Sequence, residues 1–573
     1  MKNKWTLIAI ILIALIFLFS IWMMNAMAKS FKRADSVKIT QDSYLVIKLS
    51  GEVPEFTQLS MGFFGQDQQT VFELKQKILK AATDTRIKGI ILKPSGVMMG
   101  YAGAHEIALA LEKFRKSGKK VYSFLQVGAT KDYYLSSGAD KIFMNPSESG
   151  GLLFTGIGTR LTLMKDLMDK LGITMHVVQA GKYKGYTDLY TKSSLSPELK
   201  NNMSLLFGDI YDTLLADMAK KRNVTFEKMK WIFEEREDMF ITGLKAKSYG
   251  LVDSLVQEDD LYDALNIPKE KRIPISDYQI YLKPTFGDKV AVIYAVGPIM
   301  QNAGNNWSAQ TINAKDFRKT LELVKDDPSI KAIVLRINSP GGSSLESDII
   351  LNQLSKFRNI PIVVSMGDVD ASGGYYITTC AKYVYADPYT ITGSIGVVAM
   401  LPKFDKMGKK IGIHTEGISY GKFINIYDVW SPMDQESMLG LQKSIDGVYS
   451  EFKGYVESGR NMTPEEVEAV AQGQVWSAAR AKSNRLADEV GTLEDAIKKA
   501  AELAKLKSVN VVYYPKQKTI IDLIMEQRFG KGVLSSAIEH AVAKETGTEK
   551  AMEWKQMFME EPRQMILPFL PEY

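Results

Sequence analysis

The sequence is poor in the residues that build disulfides and metal sites. Only one of its 573 residues, Cys380, is a cysteine, so no intramolecular disulfide can form and a cysteine-rich zinc site is excluded. None of the four histidines occurs in an HExxH or comparable metal-binding spacing. These are His105, His176, His414 and His540. We therefore expect no metal ion and no other cofactor.

A large excess of charge of one sign is also lacking. The 72 lysines and arginines and 66 aspartates and glutamates leave a formal net charge of +6, and no basic face is interleaved with aromatic residues. Nucleic acid is therefore not expected as a partner. The composition, 45% hydrophobic and 24% charged, is that of a folded protein, and the chain is too long for one hydrophobic core. We expect two or more domains.

One long apolar run is present, at the N-terminus. Residues 5–24 contain only two polar side chains, and a helix of this length spans roughly 30 Å, the thickness of bilayer hydrocarbon. Residues 26–28 (Ala-Met-Ala) also look like a signal-peptide cleavage site, but the run is long for a cleaved signal. We interpret residues 1–33 as a membrane anchor. Basic residues on both sides of the run leave its orientation undecided.

Beyond this run, short apolar segments alternate with amphipathic stretches. Segments 44–49 and 87–92 have the composition of buried strands, whereas 71–82 and 106–115 have helical spacing. This alternation predicts an α/β fold with crossover connections.

The alternation restarts after residue 285 with recognisable similarity. Residues 87–93 (IKGIILK) match 330–336 (IKAIVLR) at an offset of 243 (330 − 87). Residues 246–248 match 481–483 (AKS in both) at an offset of 235 (481 − 246). Matches in the same order with a slowly drifting offset indicate a tandem duplication of one α/β domain.

The duplication predicts a domain organisation for the whole chain. We place one repeat at residues 40–267 and the other at 289–510, joined by a linker at 268–288 that is rich in proline and charge. A tail at 511–573 has no assigned role. Long helices are predicted near the end of each repeat and are interpreted as packing elements, at 198–221, 226–235, 433–459 and 464–472.

The two repeats keep different polar residues. Ser372-Gly373-Gly374 in the second repeat aligns with Thr130-Lys131-Asp132 at an offset of 242 (372 − 130), so bulky charges replace both glycines in the first. Conversely, Lys184 of the first repeat aligns with Ile424 at an offset of 240 (424 − 184). A serine at a loop-to-helix junction, followed by glycines, is suited to nucleophilic attack. We therefore expect one site assembled from both repeats.

As a set, these motifs resemble the long, double-domain form of the signal peptide peptidase A family. The matching pieces are the N-terminal apolar run, GKYK at 181–184, NSPGG at 338–342, ASGGY at 371–375 and TGSIG at 392–396. The second repeat also looks like the Clp protease and crotonase superfamily. The resemblance implies a tandem duplication of a Clp/crotonase-like β-α superhelical domain, preceded by one transmembrane helix.

The same resemblance implies roles for individual residues. Ser372 is expected to be the nucleophile and Lys184 the general base of a Ser-Lys dyad, with Ser394 holding the lysine amine by a hydrogen bond. The backbone N–H groups of Gly342 and Gly373 are the expected oxyanion hole.

A lysine can act as a base only when its amine is neutral. We therefore expect an apolar, carboxylate-free site to lower the pKa of Lys184 from about 10.4 toward neutrality. Asp188 is close enough in sequence to oppose this. A Ser-His-Asp triad is the nearest rival chemistry, but residues 392–400, where its histidine would be expected, contain none.

The resemblance also implies a substrate and a location. It points to an endopeptidase that degrades apolar peptides, in particular signal peptides left in the membrane after processing. It further implies a homotetramer, anchored by a single span in the bacterial inner membrane with its catalytic domains on the periplasmic side. Two other functions stay open. One is a catalytically silent membrane scaffold or quality-control protein on the same fold; the other is crotonase-like chemistry on acyl-CoA, which needs no anchor.

Overall fold

The computed structural model describes most of the chain between residues 39 and 519. The described ranges are 39–57, 59–60, 69–278, 287–301, 310–418, 420–516 and 518–519. The apolar run at 5–24 lies outside them, as do residues 520–573 of the predicted tail. Within the described ranges, no helix combines the length and the apolar character needed to cross a bilayer.

The described residues fall into two compact units. The larger unit comprises the residues up to Thr57 and those from 69 to Pro515, and it contains both large sheets. In the smaller unit, residues 59–60 pair in parallel with residues 518–519.

The first half of the chain alternates strands and helices as predicted. Its strands are β1 (Ser43–Glu52), β2 (Leu59–Ser60), β3 (Ile87–Met98), β4 (Lys120–Leu125), β5 (Val127–Ala129), β6 (Lys141–Met144), β7 (Gly151–Leu153), β8 (Thr174–Ala180), β9 (Ile241–Thr242), β10 (Ser254–Leu255) and β11 (Arg272–Pro274). Its helices are α1 (Val71–Thr83), α2 (Tyr101–Lys116), α3 (Thr130–Ser136), α4 (Lys165–Leu171), α5 (Asp188–Thr191), α6 (Pro197–Arg222), α7 (Phe226–Glu234), α8 (Gly243–Ser248) and α9 (Leu261–Ala264).

The second half repeats the alternation. Its strands are β12 (Lys289–Val296), β13 (Ile330–Ser339), β14 (Ile362–Ala371), β15 (Tyr383–Ala386), β16 (Ile391–Gly393), β17 (Val397–Lys403), β18 (Val475–Ser477), β19 (Glu489–Val490), β20 (Asn510–Tyr514) and β21 (Lys518–Thr519). Its helices are α10 (Ala314–Asp326), α11 (Ser344–Leu354), α12 (Gly373–Thr378), α13 (Asp405–Ile411), α14 (Gln435–Arg460), α15 (Pro464–Val470), α16 (Ala478–Ser483) and α17 (Leu493–Leu503).

The two large sheets share one strand order. The first runs β10-β6-β4-β3-β1-β11, with every pair parallel. The second contains β19-β15-β14-β13-β12-β20 in the corresponding places, also parallel. It adds β16, which pairs in parallel with β14, and β18, which pairs antiparallel with β16. The predicted α/β fold is confirmed, and the duplication is visible in the topology. Strand β20 carries the second sheet beyond residue 510, into the segment that we assigned to the tail.

The strands form because their residues suit burial on both faces. β13 reads IKAIVLRINS, and all but Lys331 and Asn338 are buried. A parallel strand covered on both faces is expected to carry such a nearly continuous apolar run. The exception is Arg336, a fully buried charge in the middle of the strand.

Arg336 is held by carboxylates of the first repeat and by a hydroxyl of its own repeat. Its Nε donates to Glu55 Oε1 at 2.8 Å, and its Nη1 donates to Ser365 Oγ at 3.0 Å. Glu106, also buried, lies 3.8 Å from the guanidinium and pairs with Lys75. Burial alone would raise the pKa of Glu106, but the charges of Lys75 and Arg336 outweigh it and hold the pKa at about 2. A compensated ionic cluster therefore fastens the two repeats together.

A second connection between the repeats is an antiparallel ladder. Strand β8 of the first repeat pairs with β17 of the second, from Val397 opposite Ala180 to Lys403 opposite Thr174. The segment that follows β8 carries Lys184, so this ladder places the lysine next to the second repeat.

Candidate active site

Ser372 lies at the sharp turn between β14 and α12. Its backbone angles, φ 54° and ψ −118°, fall in a region that residues with a Cβ rarely adopt, at a cost of roughly 1–3 kcal/mol. The Ser372 N–H donates to Gly393 O at 2.9 Å, which holds the turn against β16. The side chain is partly exposed and therefore accessible to a substrate.

The glycine after the serine is required by close packing. A Cβ on Gly373 would lie 2.6 Å from Ser347 Oγ in α11, closer than any real contact. It would also lie 3.2 Å from the backbone nitrogen of Gly342. The strand–serine–glycine turn therefore sits directly against the Asn338–Gly342 loop, and Lys131, which replaces Gly373 in the first repeat, would not fit here.

Lys184 reaches this turn on a loop clamped to the second repeat. The Tyr183 N–H donates to Gln472 O at 2.9 Å. Gly181 has φ 111°, and a Cβ there would lie 2.4 Å from the carbonyl carbon of Gln472. A Cβ on Gly473 would lie 2.8 Å from the backbone nitrogen of Lys184. Glycine on both crossing segments is what allows this close approach.

The lysine amine is surrounded by three oxygen atoms. Lys184 Nζ lies 2.9 Å from Ser372 Oγ, 2.8 Å from Ser394 O and 2.9 Å from Ser394 Oγ. A neutral amine can give its N–H groups to the two Ser394 oxygens and turn its lone pair toward the Ser372 hydroxyl. Ser394 is placed for this by a turn in which its own φ is 51°.

The environment of Lys184 favours the neutral amine. Burial lowers the pKa of Lys184 to about 7. Asp188 is the carboxylate whose closeness in sequence could have opposed this shift. It is bound by other groups, since it lies 2.9 Å from Lys192 Nζ and accepts a hydrogen bond of 2.6 Å from Ser196 Oγ. At neutral pH a large fraction of the lysine is therefore available to accept a proton.

Two backbone N–H groups lie beside the serine with no acceptor among the described residues. They belong to Gly342 and Gly373. Gly342 is exposed and has φ 147°, a conformation that glycine adopts readily. A Cβ on Gly341 would lie 2.5 Å from the Gly373 nitrogen, so the loop also needs glycine there. The pair can stabilise negative charge on a substrate oxygen.

The corresponding place in the first repeat is closed. Asp132, the counterpart of Gly374, accepts hydrogen bonds from the N–H groups of Gly96, Val97 and Ala129 at 3.0, 2.9 and 2.9 Å. Its carboxylate thus ties the end of β3 to the start of α3 and fills the space that Gly374 leaves open in the second repeat. Thr130 Oγ1, at the serine position, accepts from the Thr155 N–H at 3.0 Å.

The described histidines are not placed to serve Ser372. His105 Nδ1 lies 2.8 Å from Asp387 Oδ2, a buried carboxylate of the second repeat. His176 belongs to β8, whereas His414 is exposed in a stretch without regular structure. His540 lies outside the described residues.

Sequence reasoning did not identify Gln472 and Gly473, which hold the lysine loop. A Gln-Gly pair just after a helix is an ordinary termination signal, so nothing in its pattern indicates a role in the site. Lys182, one residue from the clamped Tyr183, is exposed, as is its counterpart Lys422.

A hydroxyl beside an amine of lowered pKa, facing two free N–H groups, has the composition of a serine hydrolase site. Comparison with known proteins shows to which family of hydrolases the chain belongs. A family model described as Peptidase family S49 matches residues 113–272 and again residues 355–507. The chain belongs to peptidase family S49, is a serine protease, and contains the family's domain in tandem.

Curated relatives agree with this assignment. "Protease 4" of Salmonella typhi is 32% identical over 504 residues, which cover 82% of this chain and 78% of that protein. "Serine protease SPPA, chloroplastic" of Arabidopsis thaliana is 30% identical, over 87% of this chain and 75% of that protein. "Putative signal peptide peptidase SppA" of Enterococcus faecium is 28% identical over 40% of this chain and 69% of that protein.

Proposed function

We propose that the chain cleaves peptide bonds with a Ser-Lys dyad made of Ser372 and Lys184. The observation that carries this proposal is the 2.9 Å distance between Lys184 Nζ and Ser372 Oγ, in a site where burial lowers the pKa of the amine to about 7. As Ser372 Oγ bonds to the carbonyl carbon, Lys184 takes the hydroxyl proton. It then gives that proton to the leaving amine, and the acyl-enzyme remains.

The other site residues support the same reaction. The N–H groups of Gly342 and Gly373 would bind the oxyanion of the tetrahedral intermediate. Ser394 would orient the lysine amine through its hydroxyl and carbonyl oxygens, at 2.9 and 2.8 Å. In the second half of the reaction, Lys184 would take a proton from water as the water oxygen bonds to the acyl carbon. It would then give that proton to Ser372 Oγ as the bond between Oγ and the acyl carbon breaks, which releases the carboxylic acid and restores the neutral amine.

Single substitutions test the dyad. Ser372→Ala and Lys184→Ala proteins are compared with the unmodified chain on casein and on a synthetic signal peptide, alongside labelling with a fluorophosphonate. We expect both to lose at least about a hundredfold in kcat. Ser355→Ala and Lys182→Ala, at exposed positions, serve as controls. Wild-type cleavage by both dyad variants would refute the mechanism, and no hydrolysis by the unmodified chain would favour a silent scaffold.

We further propose that the substrates are apolar peptides, chiefly signal peptides left in a membrane. The apolar run at 5–24 supports a single-pass anchor. The family resemblance implies an anchor in the inner membrane with the catalytic domains on the periplasmic side, which would bring the site to such peptides. The name of the Enterococcus faecium relative points the same way. The test is membrane fractionation with and without residues 5–24, and cleavage of an apolar against a charged peptide of equal length. A soluble full-length chain, or equal cleavage rates, would contradict the proposal.

We also propose that copies of the chain join into a ring, a homotetramer by family resemblance. The contact between the two repeats, 40–267 and 289–510, would be used twice: once within a chain and once between neighbouring copies. Within a chain, β8 pairs with β17, but their repeat counterparts, residues 414–418 and 156–162, form no strand among the described residues.

Apolar side chains are exposed in and next to residues 414–418, including Ile418 at 89% and Tyr420 at 88%. A neighbouring copy could cover them by repeating the internal contact, and such head-to-tail contacts close into rings. Light scattering should then give the mass of a tetramer, with Tyr420→Asp reducing it. A monomeric unmodified chain would contradict this proposal.

A further inference from the structure

Asp370 lies just before the nucleophile and is not used by the reaction described above. It is the penultimate residue of β14 and is fully buried. Its Oδ2 accepts a hydrogen bond of 2.7 Å from Thr378 Oγ1. Thr378 is the last residue of α12, so this single contact joins the strand that enters the Ser372 turn to the end of the helix that leaves it.

The carboxyl group fills space that a glycine leaves. A Cβ on Gly374 would lie 2.9 Å from Asp370 Oδ1 and 2.9 Å from Ser339 O, the carbonyl of the residue paired with Asp370. In the described part of the chain, Oδ1 has no hydrogen-bond partner. An ionised carboxylate enclosed in this way would be a buried charge without compensation, whereas a neutral carboxylic acid can be buried there at a lower cost in free energy.

The aligned repeats exchange these two residue types. At the offset of 242, Asp370 faces Gly128 and Gly374 faces Asp132. In the first repeat the carboxyl is on the helix and accepts hydrogen bonds from the N–H groups of Gly96 and Val97. In the second repeat it is on the strand, behind the turn, and leaves the donors of Gly342 and Gly373 free.

We propose that Asp370 is a positioning residue of the active site, whose neutral carboxyl group ties β14 to α12 and so holds Ser372 between them. This inference rests on the Ser-Lys dyad proposed above. The acid acts through the turn and does not touch the substrate.

Protonation of Asp370 completes a chain of hydrogen bonds. Thr378 Oγ1 lies 3.4 Å from Gly374 O as well as 2.7 Å from the carboxyl. When Asp370 is protonated, its own O–H can donate to Thr378 Oγ1, and the Thr378 hydroxyl is then free to donate to Gly374 O. When Asp370 is ionised, it can only accept the hydrogen bond from Thr378, and the link to the first turn of α12 is lost.

Burial raises the pKa of Asp370 to about 7, with the hydrogen bond from Thr378 acting against it. Among the described residues, the Tyr375 phenol of α12 is a titratable group that faces it, and this phenol donates to Leu486 O. The neighbouring strands contribute Ser339 and Thr392, which do not ionise.

Asp370→Asn keeps the shape of the side chain and cannot ionise, so its amide can donate to Thr378 at every pH. Since burial raises the pKa of Asp370 to about 7, the unmodified chain loses the link to Gly374 O as the pH rises through about 7. We expect the kcat of the unmodified chain to fall by about threefold relative to that of Asp370→Asn over this pH range.

The test measures kcat and KM against pH for Asp370→Asn, Thr378→Val and the control Thr379→Val, whose hydroxyl bonds to Tyr376 O. Thr378→Val should lower kcat by about tenfold with KM unchanged, and the control should do neither. Profiles of both test variants that coincide with the unmodified chain would overturn the inference. If Asp370→Asn does not fold, an unchanged kcat in Thr378→Val is sufficient to overturn it.

A failure of the dyad itself is seen separately. It would show as wild-type cleavage by Ser372→Ala or Lys184→Ala, whatever the behaviour of Asp370→Asn. If those variants are inactive and the Asp370 and Thr378 variants match the unmodified chain, the dyad stands and Asp370 has no positioning role.

Discussion

Lys184 Nζ lies 2.9 Å from Ser372 Oγ, although the two residues are 188 positions apart and belong to different repeats. Each repeat lacks what the other supplies: Thr130 stands at the serine position of the first, and Ile424 at the lysine position of the second. Duplication therefore allowed one complete site to be kept by splitting it between two copies. Several measurable consequences follow from this arrangement.

The site should form within one chain. If chains carrying Ser372→Ala are mixed with chains carrying Lys184→Met, every chain lacks one member of the dyad, and we expect no recovery of cleavage. Each protein alone and the unmodified chain at half concentration are the controls. Activity that returns on mixing would place the dyad between chains.

Rebuilding the nucleophile turn in the first repeat should not create a second site. Thr130→Ser, Lys131→Gly and Asp132→Gly together recreate a Ser-Gly-Gly turn but bring no base. In a chain that also carries Ser372→Ala, we expect neither cleavage nor fluorophosphonate labelling. Labelling of residue 130 would mean that a group other than Lys184 can activate a serine in this fold.

The Ser394 hydroxyl should matter apart from its backbone. Ser394→Ala removes the Oγ that lies 2.9 Å from Lys184 Nζ, while the carbonyl contact at 2.8 Å remains, so we expect kcat to fall by about tenfold. Ser394→Gly removes the same oxygen and also suits the φ of 51°. If Ser394→Ala and Ser394→Gly lose kcat equally, the effect comes from the missing hydroxyl. If only Ser394→Ala loses kcat, the effect comes from the strain of an alanine backbone at this φ.

The buried ionic cluster should be needed for folding. Arg336→Met leaves Glu55 and Glu106 buried with less compensation, and we expect the free energy of unfolding to fall by about 3–5 kcal/mol. Lys331→Met, on the same strand but exposed, should change it by less than about 0.5 kcal/mol. Urea unfolding of both variants makes the comparison. A stability for Arg336→Met equal to that of the control would contradict the account of the interface.

Much of the fold could be predicted because local patterns survive duplication. The helix predicted at 198–221 is Pro197–Arg222, and the one predicted at 71–82 is Val71–Thr83. Periodicity and capping residues carry this information within a few turns of chain. The alignment of the repeats also joined Ser372 and Lys184 in one hypothesis, although their roles stay predictions.

The remaining features depend on contacts between distant segments. The ladder of β8 with β17, the crossing of Gly181 over Gln472 and the carboxylate of Asp132 on the Gly96 loop leave no periodic trace in the sequence. The positive φ of Ser372 is likewise imposed by its neighbours, since a serine in isolation disfavours it. Such features are decided by packing, which local propensity does not encode.

The central claim is that Lys184 is the base that activates Ser372, and the rate of fluorophosphonate labelling against pH tests it most directly. Since the neutral amine is the active form and its pKa is about 7, labelling of the unmodified chain should rise with pH through an inflection near 7. Lys184→Met should be labelled at least about a hundredfold more slowly and lose that inflection, while Lys182→Met keeps both rate and inflection. Labelling of Lys184→Met at the unmodified rate, with the same inflection, would contradict the account.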